Sequence, residues 1–420
     1  MKLSRGILIL MTGITLILQP VLSQETSQGT KTLNLFMDCF HCDMTYVRQE
    51  LPFISFVRDP QLADIHILVT ESQTGGGGNK FFLNFIGMKD FNGNDFEYTM
   101  TTNLSDTDDD IRKALIKPVK AGVLQYFSKA GLLDQLDIRI EGSEIKNADE
   151  MTIDRWNKWV FQIETGSEFQ KEESQNEYSL DTEASIEKIT EKWKLRLEGS
   201  YEINRENFYD EGEKITNEQD SKDISTDYIR SLTEKWSAGL FGEYSSQTFL
   251  NIKNSFLAAA GIEYDFFPWS ECNRRVFAVR YMAGAQNVSY MEETIYDKIS
   301  ETLFGESLIL NLQLIQPWGE IRLGVEGRHY FHDFSKTRLV AGLDLSLRVT
   351  KNLSVFSRLE TQVVHDQLYL PKGDASLEDI LLRRRKLATT YEIAGEFGFR
   401  FTFGSIYNNV VNERFIEMHY

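Results

Sequence analysis

At 420 residues the chain has room for two or three ordinary domains, or for one small domain beside one large sheet. A hydrophobic fraction of 41 % and a mean hydropathy of -0.33 are below those of most helical membrane proteins but leave a transmembrane barrel open, because there only every second residue meets lipid. A formal net charge of -18 sets the chain against nucleic-acid phosphates.

The N-terminus reads as a secretory signal peptide. Lys2 and Arg5 form a basic region, Gly6 to Leu18 is an uncharged apolar run, and Val21-Leu22-Ser23 after Pro20 is a small-residue cleavage site. Cleavage at Ser23 removes two cations and takes the mature charge from -18 to -20. No cysteine sits at the cut, which argues against a lipoprotein. Beyond this stretch no apolar run approaches the ~20 residues that a membrane helix needs. If the mature chain crosses a membrane, it crosses as strands.

After a short tail, 24–31, residues 32–130 read as a compact α/β domain of order βαβββα. Thr32 to Met37 predicts a strand, Met44 to Val57 a helix, and Asp64 to Thr70 a second strand. Lys80 to Met88 and Phe96 to Thr102 pair through a turn at Asn92-Gly93-Asn94. Thr107 is the expected N-cap of a final helix whose first turn holds Asp108, Asp109 and Asp110, where carboxylates suit the helix dipole. That helix runs to about Lys129, bends at Pro118 and stops at Gly131. Residues 131–155 are a polar connector with one further short strand at Leu136 to Ile140.

From Trp156 to Phe403 the pattern changes to strict alternation. Trp193, Leu195, Leu197, Gly199, Tyr201 and Ile203 share one face, with Lys194, Arg196, Glu198, Ser200 and Glu202 between them. The pattern predicts an all-β transmembrane antiparallel barrel of about twelve strands, centred near residues 163, 183, 200, 227, 242, 259, 281, 308, 325, 343, 359 and 396. Short turns such as 190–193, 233–236, 316–320 and 350–353 alternate with long polar stretches at 207–223, 287–298 and 365–386. Short turns suit the periplasmic end and long loops the outside. Trp156, Trp159, Trp193, Trp236, Trp269 and Trp318 all fall at the short-turn end, as expected of rings anchored at a membrane–water interface.

Gly395-x-Phe397-x-Phe399-x-Phe401-x-Phe403 resembles the closing strand of Gram-negative outer-membrane β-barrels. The resemblance covers 156–420 and implies insertion by the barrel-assembly machinery, contact with outer-membrane lipid, and a small domain left in the periplasm. This chain departs from that pattern in continuing from Gly404 to Tyr420. Such a tail either folds back to the periplasmic mouth or displaces the last strand.

Candidate sites are few. Cys39 and Cys42 form a C-x-x-C pair between a strand and a helix, a place where a helix N-terminus lowers a thiol pKa. No proline precedes the Lys80 strand as a thioredoxin-like fold would require, so a structural disulfide is favoured over redox work or a metal held with His41. Gly75 to Gly78 lacks the Lys-Ser/Thr of a phosphate loop and precedes a strand, which makes it a hairpin tip. The polar face of the barrel carries Arg196, Glu198, Glu202, Glu243, Arg280, Arg322, Glu326, Arg328, Arg348, Arg358, Glu360, Glu396 and Arg400 as candidate lumen lining. These pair and close the lumen, or leave a lane in which Arg322, Arg328 and Arg348 favour anions. The run Arg383 to Lys386 is a solvated loop edge. Six scattered histidines and no serine motif argue against an enzyme, and nothing calls for a cofactor. The expected function is passage or binding of small polar solutes. Its rival is a non-conducting anchor whose periplasmic domain docks a partner protein.

Overall fold

The computed structural model describes residues 32–40, 42–135, 156–210, 213–350, 352–373, 386–405 and 407. The signal segment, the tail 24–31 and the strand expected at 136–140 lie outside the described residues.

The small domain holds a five-stranded sheet of order β2-β1-β3-β4-β5, formed by β1 (Asn34–Asp38), β2 (Ser55–Phe56), β3 (Ile65–Gln73), β4 (Asn79–Gly87) and β5 (Phe96–Thr101). The first three run parallel and the last two antiparallel. Helices α1 (Met44–Glu50) and α2 (Asp108–Lys129) supply side chains to one core with Leu35, Ile65, Ile67, Leu83 and Phe85. Helix α1 stops at Glu50, not at the expected Val57, because Pro52 disfavours helix at the residue before it and donates no amide. The residues beyond it form β2, a strand that periodicity did not reveal. Helix α2 carries the expected capping box of Thr107 and Asp110, continues through Pro118, and ends before Gly131, whose φ of 69° suits a residue without Cβ. At Gly122 a Cβ would stand 2.2 Å from the Phe85 ring, so glycine is what lets α2 approach β4.

The second body is a twelve-stranded antiparallel meander: β6 (Trp159–Lys171), β7 (Gln175–Ile189), β8 (Trp193–Asp210), β9 (Glu213–Ser231), β10 (Trp236–Gln247), β11 (Ile252–Asp265), β12 (Arg275–Tyr290), β13 (Ser300–Gln316), β14 (Gly319–Tyr330), β15 (Asp333–Arg348), β16 (Leu353–Val364) and β17 (Tyr391–Phe401). Each expected centre falls within one of these strands. The described residues of 207–223 are strand, not loop: β8 runs to Asp210 and β9 begins at Glu213 opposite it. Alternation is weak there because both faces are polar, and a polar strand beyond the apolar band reads as a loop. β12 likewise runs on to Tyr290. Among the described residues each edge strand, β6 and β17, pairs on one side only, so the recorded ladders do not join the two ends of the sheet.

Register sorts the side chains onto two faces. Leu312, Leu323, Leu343, Leu359 and Gly395 stand opposite one another across five strands, forming an apolar row on the outer face. One residue along, Gln313, Arg322, Asp344, Arg358 and Glu396 form a polar row on the inner face. The six tryptophans all lie at the short-turn end.

Candidate functional site

The inner face is covered at both ends by other parts of the chain, and each cover is held by arginines from the sheet. At the short-turn end the cover is the second face of the small domain's sheet, the face that bears Phe36, His66, Leu68 and Thr70. Arg348, the last residue of β15, donates from Nη2 to Oδ2 of Asp38 at 3.1 Å and from Nη1 to the Pro317 carbonyl at 2.8 Å. Its guanidinium also lies over the Phe36 ring, 4.9 Å from the centroid, where a cation gains from the ring quadrupole. His66 stacks edge-on to Phe36 and is only 2 % exposed; its Nε2 lies 3.9 Å from Asp38 and makes no hydrogen bond. Burial drives its pKa down to about 4, with Asp38 opposing the shift and Arg348 adding to it.

From that corner β3 and its hairpin run across the opening like a crossbar. Leu68, Thr70 and Glu71 border a cavity of about 610 Å³ whose other wall includes Gln313, Glu320, Arg322, Asp344 and Arg358. Gln73, at the end of β3, borders a second cavity of about 500 Å³ on the far side, walled by β6 to β10. The hairpin tip then meets β7: a Cβ on Gly75 would stand 2.7 Å from Cβ of Ile189. The glycine run is therefore a hairpin tip, as its position before a strand implied, and its lack of side chains permits this approach.

The chain also returns to the domain after its last strand. Arg58 donates to the carbonyls of Phe403 and Gly404 at 3.3 and 2.9 Å, and Val57 bridges Tyr407. The start of the tail thus lies against the β2 edge. The rest of the tail is outside the described residues, as are Arg383 to Arg385.

At the long-loop end residues 365–373, the described start of the connection after β16, fold inward as a strap. Asp366, whose side chain is 1 % exposed, accepts from Nε of Arg328 at 3.1 Å and from Nε of Arg338 at 2.8 Å. Beyond it the strap reaches the opposite rim. Asn251 donates to the Tyr369 carbonyl at 3.1 Å, Ile295 to the Leu370 carbonyl at 2.9 Å, and Leu368 packs with Val288, Tyr290 and Leu303. An arginine pair served by one buried carboxylate fixes where the strap enters.

The residues expected to line the inside all fall on the inner face, but not as an open lane. Arg196 pairs with Glu187 at 2.5 Å and with Glu198 at 3.3 Å; Arg280 pairs with Glu263 at 2.7 Å. Arg322 meets Glu320 at 2.5 Å, and Arg358 meets Asp344 at 3.3 Å. Glu396 stands opposite Arg358, Glu202 opposite Asp181, Arg400 opposite Ser354, and Glu360 between Gly342 and Ala394. Glu326 lies between Ile309 and Val340, and Glu243 between Ser225 and Leu257. The expected anion lane of Arg322, Arg328 and Arg348 is corrected: all three are partnered by carboxylates, and Arg328 and Arg348 are spent on the two covers. Excess charge lies elsewhere. The inner face of β6 to β10 carries Glu164, Glu183, Glu187, Glu198, Asp223, Asp227 and Glu243 against Arg196 and Lys194, and Glu164 directly faces Glu183. The sequence marked only two of these acids, since carboxylates on β6, β7 and β9 sit in stretches where both faces are polar.

Cys39 and Cys42 form a disulfide with their Cα atoms 5.6 Å apart, closing the turn between β1 and α1 beside Asp38. Their Asp43 neighbour caps α1, and the Tyr46 amide, followed by Arg112, holds its carboxyl below the usual range. His41 lies outside the described residues. Cys272 is free and exposed in the turn between β11 and β12.

No protein-family model and no curated protein sequence matches the chain. Among solved structures, the chain is similar to the NanC porin in a rhombohedral crystal form, at 10 % identity and a TM-score of 0.28, over 57 % of this chain and 99 % of that one. A likeness of that degree bears on neither the solutes nor the mechanism of this chain.

Proposed function

We propose that this chain is an outer-membrane β-barrel, closed at rest, that binds and passes small polar solutes when its two covers yield, and that it catalyses no reaction. The small domain lies in the periplasm and acts as the inner cover. The barrel is surrounded by lipid and is inserted by the machinery that reads its closing strand. The observation that carries this reading is the crossbar: one strand hairpin laid across the short-turn end of a sheet that is polar inside and apolar outside. An anchor has no need of a charge-lined interior with a fitted cover.

The outer face supports the location. From the Trp318 turn to Leu308 on β13 the apolar row spans roughly 25 Å along the axis once the strands tilt, the height of a transmembrane barrel's apolar band. The next outward residue is Glu306, which pairs with His329 at 2.9 Å and accepts from the Tyr281 hydroxyl. A polar cluster at that height suits the far water boundary.

Two measurements test the reading. In a Cys272→Ser background, Glu213→Cys should react with an impermeant maleimide on intact cells and Lys235→Cys should not; the reverse would turn the molecule over. In planar bilayers the intact protein should show rare openings, and Arg348→Ala frequent ones. Silence from both would favour the anchor.

A further inference from the structure

Arg196, Arg205, Arg280, Arg322 and Arg358 each meet a carboxylate within the sheet, but one pair of outer-face cations does not. Register carries the outer face from Leu240 through Tyr228 and Leu195 to Lys188, opposite one another across β10, β9, β8 and β7. One step nearer the short-turn end on the same face, Arg230 of β9 stands opposite Trp193 of β8. The Lys188 ammonium lies 5.3 Å from the centre of the Trp159 ring and 5.6 Å from that of Trp193. The rings attract the charge but offer no lone pair to its three N–H donors. Among the described residues neither Lys188 nor Arg230 has a carboxylate within ion-pairing distance. The acids nearest them in sequence on β7 and β9, Glu187 and Asp227, belong to the inner face, where both stand opposite Arg196. In the adjoining turns Glu191 and Glu234 are matched one for one by Lys192 and Lys235. Arg275, an outer-face cation at the same end of β12, is paired with Glu271. In a chain of net charge -18, the surplus of positive charge on this stretch of the outer face calls for an anion from outside the chain.

We propose that Lys188 and Arg230 hold the phosphodiester of an anionic phospholipid whose acyl chains lie along β8 and β9. Two strand spacings across and two residues along separate their Cα atoms by roughly 12 Å. A lysine and an arginine reaching toward each other over Trp193 narrow that gap to about one phosphate. Toward the middle of the apolar band the same face continues with Leu195, Leu197 and Tyr228, the last two 39 % and 40 % exposed, which suits acyl chains. Trp159 and Trp193 sit at the height where indole rings meet lipid headgroups. A zwitterionic headgroup brings its own ammonium, which the two cations repel, whereas an anionic diester brings none, so the site discriminates by charge. The proposal rests on the reading of the sheet as a membrane barrel, and on that reading the short-turn end meets the phospholipid of the periplasmic leaflet.

Fluorescence quenching in phosphatidylcholine vesicles tests it, with brominated phosphatidylglycerol or brominated phosphatidylcholine added as the quencher. The emission of Trp193 is read in each background as the difference from the matching Trp193→Phe protein. Brominated phosphatidylglycerol should quench it at least about five-fold more effectively per mole, the worth of one basic contact near an anionic surface. Lys188→Gln with Arg230→Gln should make the two quenchers equal, and Lys188→Arg should keep the preference. Arg275→Gln, which removes a cation already paired, should leave it unchanged. Equal quenching in the unaltered protein, or a preference that survives the double substitution, overturns the proposal. Inorganic phosphate that abolishes the preference beyond what sodium chloride does at the same ionic strength would assign the site to a free anion and overturn the lipid. Gel mobility before and after heating shows that each variant is an assembled barrel. Failure of the unaltered protein to insert would sink the barrel reading and this proposal together, whereas insertion without preference sinks the proposal alone.

Discussion

Arg348 and Asp38 are 310 residues apart in the chain and 3.1 Å apart in space, and their contact joins the small domain to the rim of the sheet. Both side chains are about a third exposed, so solvent screens the pair. Its removal by Arg348→Ala should shift the cover by about 1–2 kcal/mol, counting the lost hydrogen bond and the lost stack on Phe36. That corresponds to roughly a ten-fold rise in open time. Asp38→Asn should do less, because the amide can still accept from the guanidinium. Equal open times in single-channel records of all three proteins would remove the pair from any gating role.

His66 predicts how the cover responds to acid. Its folded pKa, about 4, lies below its ordinary 6.5, so the unfolded or undocked chain takes up the proton first. Stability from this group is therefore complete above pH 6.5, falls as pH drops through that value, and is lost by about pH 4. The full amplitude is about 3 kcal/mol. The protection of β3 amides, taken against their intrinsic exchange rate at each pH, should fall between pH 6.5 and 4, and His66→Gln should flatten that dependence. A profile that is unchanged by the substitution would assign the acid response to other groups.

The strap rests on a more buried contact. Asp366→Ala leaves Arg328 and Arg338, 43 % and 20 % exposed, without their carboxylate, and the lost charged hydrogen bonds should cost about 1–3 kcal/mol. Limited proteolysis should then cut near Leu368 to Tyr369 in the variant and spare them in the parent. A strap that resists protease in both would mean that its packing against Val288, Tyr290 and Leu303 suffices.

Leu343 and Asp344 are neighbours on opposite faces of β15. Leu343→Arg places a charge in the apolar row and should cost about 2–4 kcal/mol of barrel stability. Asp344→Asn should assemble normally, since it faces Arg322 and Arg358 across water-accessible space. Heat-modifiable gel mobility of membrane fractions reads the outcome, and equal loss at both positions would mean that the two faces have been exchanged.

The Cys39–Cys42 disulfide closes a very short loop, so its removal should cost the small domain about 2 kcal/mol on the chain-entropy account. Replacing both with serine should lower the melting point of that domain and leave the barrel's heat resistance unchanged. A mixed disulfide trapped on Cys39 in a Cys42→Ser variant would instead point to exchange chemistry.

What could be read from residue order alone divides along a physical line. Strands with one apolar and one polar face, such as Leu339 to Val349, announce themselves by period. The extensions of β8 and β9 beyond residue 207 do not, because both their faces meet water and nothing in the composition distinguishes them from a loop. The inner residues Arg322, Arg358 and Glu243 follow from alternation once the strands are known. Asp38, His66 and Asp366 do not, since their importance comes from contacts between parts of the chain 28 to 310 residues apart. Pro52 is a breaker that residue order already contains, whereas the apolar spacing of Leu51, Ile54 and Phe56 favours a longer helix; the structure follows the proline.

The crossbar constrains the order of events during biogenesis. Its hairpin belongs to a domain synthesised before any of the twelve strands, built on neighbouring contacts and clamped by its own disulfide. It touches β7 at Ile189 and, through Asp38, β15 at Arg348, strands separated by most of the meander. A sheet that had already rolled up would have to admit the folded domain through its narrow end. A domain that folds first can instead serve as a mandrel on which β7 through β15 are wound, so a slow-folding small domain would delay assembly of the whole sheet.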